Sequence, residues 1–136
     1  RPAVQACIAT DKFVTIRTVN GKSKKDCITI AKKIACSSLV KTALFGQDAN
    51  WGRIMAAAGA SGVPIQPDRI DIFFDEIPMV KRGVGLGGRQ EKIAGRTLRK
   101  KNFVITVDLH MGTSSAEVYT TDLSLDYVKI NADYRS

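Results

Sequence analysis

Between Phe103 and His110 the side chains alternate without a break. Phe103, Ile105, Val107 and Leu109 point one way, and Val104, Thr106, Asp108 and His110 the other. Successive residues of an extended chain face opposite sides of a sheet, so this period of two predicts a strand with one buried face. Phe13 to Val19 carries the same alternation, Phe13, Thr15 and Arg17 against Val14, Ile16 and Thr18, and predicts a second strand that Asn20-Gly21 would end in a turn. Arg69 to Phe74, with Ile70, Ile72 and Phe74 on one side, predicts a third.

Helical spacing fills the intervals. Ser23, followed by Asp26, caps a predicted helix running to about Cys36, with Cys27, Ile30, Ala31 and Ile34 as its buried stripe. Ser37 to Phe45 reads as a short helix ended by Gly46. Asn50 or Asp48 caps a third, in which Trp51, Ile54, Met55 and Ala58 share a face. Arg89 to Lys101 is a further helix. A turn at Gly112 predicts that Phe103–His110 forms a hairpin with a strand at about Ser115 to Thr121. Ser124 then caps a last helix, with Leu123 and Val128 as its hydrophobic staple. The expected class is α+β, a mixed sheet with helices on one face, and the 136 residues suffice for one domain with its own core.

Composition narrows the function classes. No apolar run approaches the roughly 18 residues of a membrane span, so no membrane is expected. Cys7, Cys27 and Cys36 are an odd number without metal-ligand spacing, and the chain holds one histidine, so no metal is expected and the thiols fit a reducing cytoplasm. The net charge of +8 comes from scattered clusters (Lys22, Lys24 and Lys25; Lys32 and Lys33; Arg99, Lys100 and Lys101) without interleaved aromatics, so no nucleic acid is expected.

Shorter motifs carry little. Gly83 to Gly88 matches the GxGxxG string but lacks the strand–helix–strand setting of a dinucleotide site, and reads as a turn before the Arg89 helix. His110, the single imidazole, has no nucleophile partner in the pattern and reads as structural or exposed. Thr10 after Ala9 could act as a nucleophile if freed by cleavage, but one such pair is nearly free of information. Asp122, Asp126 and Asp133 do not share a helical face and read as caps and surface charge.

Longer strings go further. Residues 38–46 read SLVKTALFG, residues 48–54 read DANWGRI, Val107-Asp108-Leu109 stands near the end, and the tail from Asp122 closes on INADYRS. Together, at this separation, they resemble the C-terminal region of the ArgJ-type ornithine acetyltransferases (glutamate N-acetyltransferases). The resemblance covers 13–136 as a C-terminal domain; 1–12 matches poorly. It implies the C-terminal portion of a DmpA/ArgJ-like fold. In that family a precursor cuts itself at an Ala-Thr bond, and the freed threonine carries an acetyl group from N-acetylornithine to glutamate; some members also accept acetyl-CoA. The resemblance further implies a multifunctional, cytoplasmic acyltransferase of arginine biosynthesis that needs no cofactor. Its two pieces stay together as a hetero-oligomer, so the partner here is the amino-terminal half.

The same resemblance places Asn131 and Ser136 in the amino-acid substrate pocket, and no catalytic residue in this chain, because the nucleophile and oxyanion donors lie upstream in the family. An amide offers donors and an acceptor, and a hydroxyl does so more compactly, which suits a zwitterionic substrate. Where the family has an acidic stretch resembling Asp-Gly-Glu-Gly-Ala-Thr-Lys, this chain reads QACIATDK, with Cys7 at the glutamate position, and no site residue is carried there. Two further expectations follow: a broad apolar surface where the missing half docks, and, as the alternative function, a folded but catalytically inactive remnant or binding module.

Overall fold

The computed structural model describes residues 12–121 and the backbone of residues 128–130. The chain runs β1 (Phe13–Gly21), α1 (Lys24–Cys36), α2 (Ser38–Phe45), α3 (Trp51–Gly59), a 3-10 turn (Pro67–Arg69), β2 (Asp71–Phe74), β3 (Ile77–Lys81), β4 (Val84–Gly85), α4 (Gly88–Leu98), β5 (Asn102–Asp108), β6 (Ser114–Thr121) and β7 (Val128–Ile130). The strands form one sheet in the order β4-β3-β2-β5-β1-β6-β7, parallel only between β1 and β5 and therefore mixed. The α+β expectation holds.

The caps expected at Ser23 and Asn50 are present, and Ser37, expected inside its helix, caps it instead. The Ser23 hydroxyl accepts from the Asp26 amide, Ser37 from Val40, and Asn50, not Asp48, from Arg53. Each satisfies one amide that the first helical turn leaves without an internal partner. Val14, Ile16, Phe103, Ile105, Val107, Ile72, Phe74 and Val118 line one face of the sheet. They form a single core with Ile30 and Ile34 of α1, Val40 and Leu44 of α2, Ile54 and Ala58 of α3 and Ala94 and Leu98 of α4. Burying that surface drives the fold, and the two alternating strands supply its centre. The opposite face is mixed: Thr15, Arg17, Thr106 and Glu117 lie there beside Val104 and Phe73, with Phe13 stacked on Tyr119 at a centroid distance of 5.0 Å.

Four expectations need correction. β5 and β6 do not pair as a hairpin; both pair with β1, which lies between them. The connection crosses the end of β1, where the Leu109 amide donates to Val19 and the Met111 and Gly112 amides donate to Asn20. A loop of this length spans the roughly 10 Å of two strand spacings, so a tight turn need not make neighbours of the strands it joins. β1 itself runs through Asn20 to Gly21; Asn20 adopts a φ of 57° and the register shifts there, so the expected turn is a bulge. The third strand starts at Asp71, after the 3-10 turn, and is followed by β3 and β4, which the sequence did not suggest because Pro78 interrupts the pattern; Pro78 sits opposite Phe73, where the register shifts. Finally, residues 128–130 form a strand paired to β6, so Val128 is not in a helix, while Leu123 and Ser124 lie outside the described residues.

Candidate functional site

The residues assigned to the substrate pocket, Asn131 and Ser136, lie outside the described residues, as do Cys7, Thr10, Asp122, Asp126 and Asp133. The frame leading to Asn131 is described. β7 adds to the sheet edge with Val128 opposite Thr120 and Ile130 opposite Val118, and the strand ends at the residue before Asn131. Beneath this edge lies Lys41 of α2, only 2% exposed. Its Nζ donates to Thr120 Oγ1 at 2.9 Å, and that hydroxyl donates to the Ala35 carbonyl at 3.4 Å. A threonine oxygen can accept and donate at once, so this one joins α1, α2 and β6.

A second polar cluster sits near the other end of β1. Asp71 and Asp108 are opposite each other across β2 and β5. Asp71 Oδ1 accepts from the Arg82 amide at 2.8 Å, and Asp71 Oδ2 lies 2.9 Å from His110 Nε2. Asp108 Oδ1 accepts from Asn20 Nδ2 at 2.9 Å and from the His110 amide at 3.1 Å, and faces His110 Nδ1 at 3.6 Å. Burial pushes the Asp71 carboxyl up; the Arg82 amide, the His110 ring and the charges of His110 and Lys81 outweigh it and hold Asp71 below the usual carboxylate value. Asp71, Asp108 and His110 each bring one ligand atom within 4.8 Å of the others, the donor set a divalent ion would use. In this arrangement each ring nitrogen of His110 faces a different carboxylate.

The GxGxxG string starts in the β3–β4 turn and runs through Gly87, the cap residue of α4, as expected of a turn before a helix. Arg82 and Gly83, at φ 49° and 78°, form the tip of the β3–β4 hairpin, and Gly83 packs against the Pro67 backbone where a Cβ would not fit. Gly85 lets the Trp51 indole lie on β4, where a Cβ would also collide. These glycines serve packing. Of the clefts among the described residues, one of about 430 Å³ between α1, α2 and α3 is lined by Lys33, Cys36, Leu39 and Arg53, and one of about 350 Å³ by Asp68, Arg69, Arg82 and His110. Among the described residues the exposed large apolar side chains are Leu39, Val84, Leu86 and Ile93.

A sequence profile of the ArgJ family matches residues 5–136. The chain belongs to the ArgJ family. It is 55% identical over 125 residues to the arginine biosynthesis bifunctional protein ArgJ of Geobacter sulfurreducens, covering 92% of this chain and 32% of that protein. It is 50% identical over 119 residues to the same-named protein of Syntrophotalea carbinolica, covering 87% of this chain and 30% of that one. The crystal structure of the arginine biosynthesis bifunctional protein from Bacillus halodurans is similar with a TM-score of 0.80 at 31% identity, over 93% of this chain and 59% of that chain. The chain therefore spans about a third of the length of the curated ArgJ relatives it matches.

The ArgJ membership accounts for the strings that carried the resemblance, and the fold shows what two of them do locally. SLVKTALFG is α2 with its Ser37 cap and the buried Lys41; DANWGRI is the Asn50-capped start of α3, whose Arg53 reaches back to the Leu39 carbonyl and Thr42. No local pattern marks Lys41 as a buried cation or announces the Asp71–His110–Asp108 cluster. No helix among the described residues is long and apolar enough to cross a membrane.

Proposed function

We propose that this chain is the C-terminal part of an ornithine acetyltransferase, which moves an acetyl group from N-acetylornithine to glutamate in arginine biosynthesis and can also take acetyl from acetyl-CoA. The observation that carries the reading is the ArgJ match across residues 5–136 by a chain that spans about a third of its relatives. In this reading the nucleophilic threonine and the oxyanion donors belong to the part of the longer protein outside these residues. The partner is that amino-terminal half, held in a hetero-oligomer in the cytoplasm. This chain contributes part of the pocket wall: the Asn131 amide and the Ser136 hydroxyl meet the charged ends of the amino-acid substrate. Neither group forms or breaks a bond; they bind and orient.

The test is acetyl transfer from N-acetylornithine to glutamate by the chain alone and by its complex with the amino-terminal half of the family protein. The complex is expected to turn over and the isolated chain not. Asn131→Ala should weaken N-acetylornithine binding by about 1–3 kcal/mol, the usual consequence of leaving buried polar partners unpaired. An assembled complex without transfer would support the inactive remnant instead. Robust turnover by the isolated chain, abolished in Thr10→Ala, would restore Thr10 as the nucleophile.

A further inference from the structure

The cleft of about 350 Å³ beside Asp71 is lined by Asp68, Arg69, Arg82 and His110, every one of them ionisable. They come from three segments: the 3-10 turn, the tip of the β3–β4 hairpin and the residues after β5. Two of those segments are locked together. The Gly83 amide donates to the Ile70 carbonyl at 2.8 Å, and Gly83 lies so close to the Pro67 and Asp68 backbone that a Cβ would not fit. Arg82 and His110 border the cleft in left-handed backbone conformations, at φ 49° and 53°. A hairpin tip of this kind favours Asn, Asp or Gly where Arg82 stands, so the turn gains nothing from an arginine. Outliers held in place by their surroundings point to a site. Here Asp71 accepts from the Arg82 amide at 2.8 Å and holds the His110 ring at 2.9 Å, while Asp108 accepts from the His110 amide at 3.1 Å.

The unused bonding capacity decides what the cleft can hold. Among the described residues neither guanidinium pairs with a carboxylate. Arg69 Nη1 donates to Gln66 Oε1 at 3.3 Å, and the Arg82 guanidinium meets no acceptor. His110 has both ring nitrogens facing carboxylates and serves as wall. Two forked donors suit an anion, and their summed charge matches a phosphate dianion better than a single carboxylate. Asp68 shares the lining; it repels a bare anion and accepts from a hydroxyl. We propose that this cleft binds a phosphate monoester carrying neighbouring hydroxyls, as a sugar or polyol phosphate does, with Arg69 and Arg82 on the phosphate and Asp68 on a hydroxyl. The site stands apart from the acetyl-transfer reading and does not depend on it.

The experiment is a titration of the full chain at low salt with glycerol phosphate and with inorganic phosphate, followed by the shifts of backbone amides in NMR spectra. Glycerol phosphate is expected to give saturable shifts centred on Arg69, Gly83 and His110, and to bind more tightly than inorganic phosphate. Arg69→Gln and Arg82→Asn should each weaken it by about tenfold, the scale of one charge-assisted contact. Because asparagine suits the turn, Arg82→Asn should be at least as stable as the parent while it loses affinity. Lys81→Gln removes an equal charge next to the cleft but not from its lining, and should leave affinity nearly unchanged. Asp68→Asn should strengthen inorganic phosphate and erase the preference for glycerol phosphate. No saturable shift at the cleft, or an equal loss in Lys81→Gln, would overturn the site. Inorganic phosphate binding the parent as tightly as glycerol phosphate would overturn the ligand class.

Discussion

Asp71 and Lys41 are the charged side chains buried among the described residues, and they lie near opposite ends of β1. Asp71 is met by donors whose own backbone needs holding. Arg82 and His110 adopt φ values of 49° and 53°, conformations that residues other than glycine rarely take; Asp71 accepts from the Arg82 amide and holds the His110 ring, while Asp108 accepts from the His110 amide. The task of that charge can be read from the turns it closes. Lys41 donates to the Thr120 hydroxyl on a regular strand. The contrast is between a charge that ties two strained turns to the sheet and one that ties a helix to it.

Removing the architectural charge should have the larger effect on stability. Asp71→Ala leaves the Arg82 amide and the His110 ring without their acceptor and should cost about 2–4 kcal/mol in urea denaturation. A loss under about 1 kcal/mol would show that the turns hold themselves, and the contrast would collapse. Asp71→Asn keeps an oxygen for Arg82 but loses the charge, and should cost about 1–2 kcal/mol near neutral pH. Because the folded Asp71 carboxyl lies below its ordinary value, its stabilisation is present above about pH 4 and fades as pH falls through the folded value. The gap between the parent and Asp71→Asn should therefore narrow in acid, and a gap that widens would contradict the assignment. Lys41→Met should change stability least, by about 1 kcal/mol or less in either direction. A loss above about 3 kcal/mol would make Lys41 a structural charge like Asp71.

What the sequence disclosed depended on how far apart the determinants stand. The alternation of Phe103 to Leu109 and the caps at Ser23 and Asn50 are local patterns, and all three appear in the structure. Strand order is not local. Nothing in residues 103–121 says that β1 will lie between β5 and β6, since the loop that crosses β1 has the length of an ordinary turn. β3 was hidden by Pro78, and β7 is too short to show a period. The candidate site divides in the same way. The tail strings announced the family and, through it, Asn131 and Ser136. Lys41 sits in an apolar stretch whose burial extends further round the helix than spacing suggests, and the Asp71 cluster gathers Asn20, Arg82, Asp108 and His110 from separate elements with no common interval.

The place of β1 has a consequence for how this chain acquires its structure. As it leaves the ribosome, residues 13–21 emerge well before either neighbour: Phe13 awaits Asn102 on one side and Thr121 on the other. Helices α1 to α3 can form meanwhile, yet the apolar stripes they turn toward the sheet have no centre to close on. Contacts this distant in sequence slow folding, and a strand rich in Val, Ile and Thr with both edges open invites pairing with another chain. The interval between synthesis of β1 and synthesis of β6 is thus the period in which this protein most needs protection from its own copies.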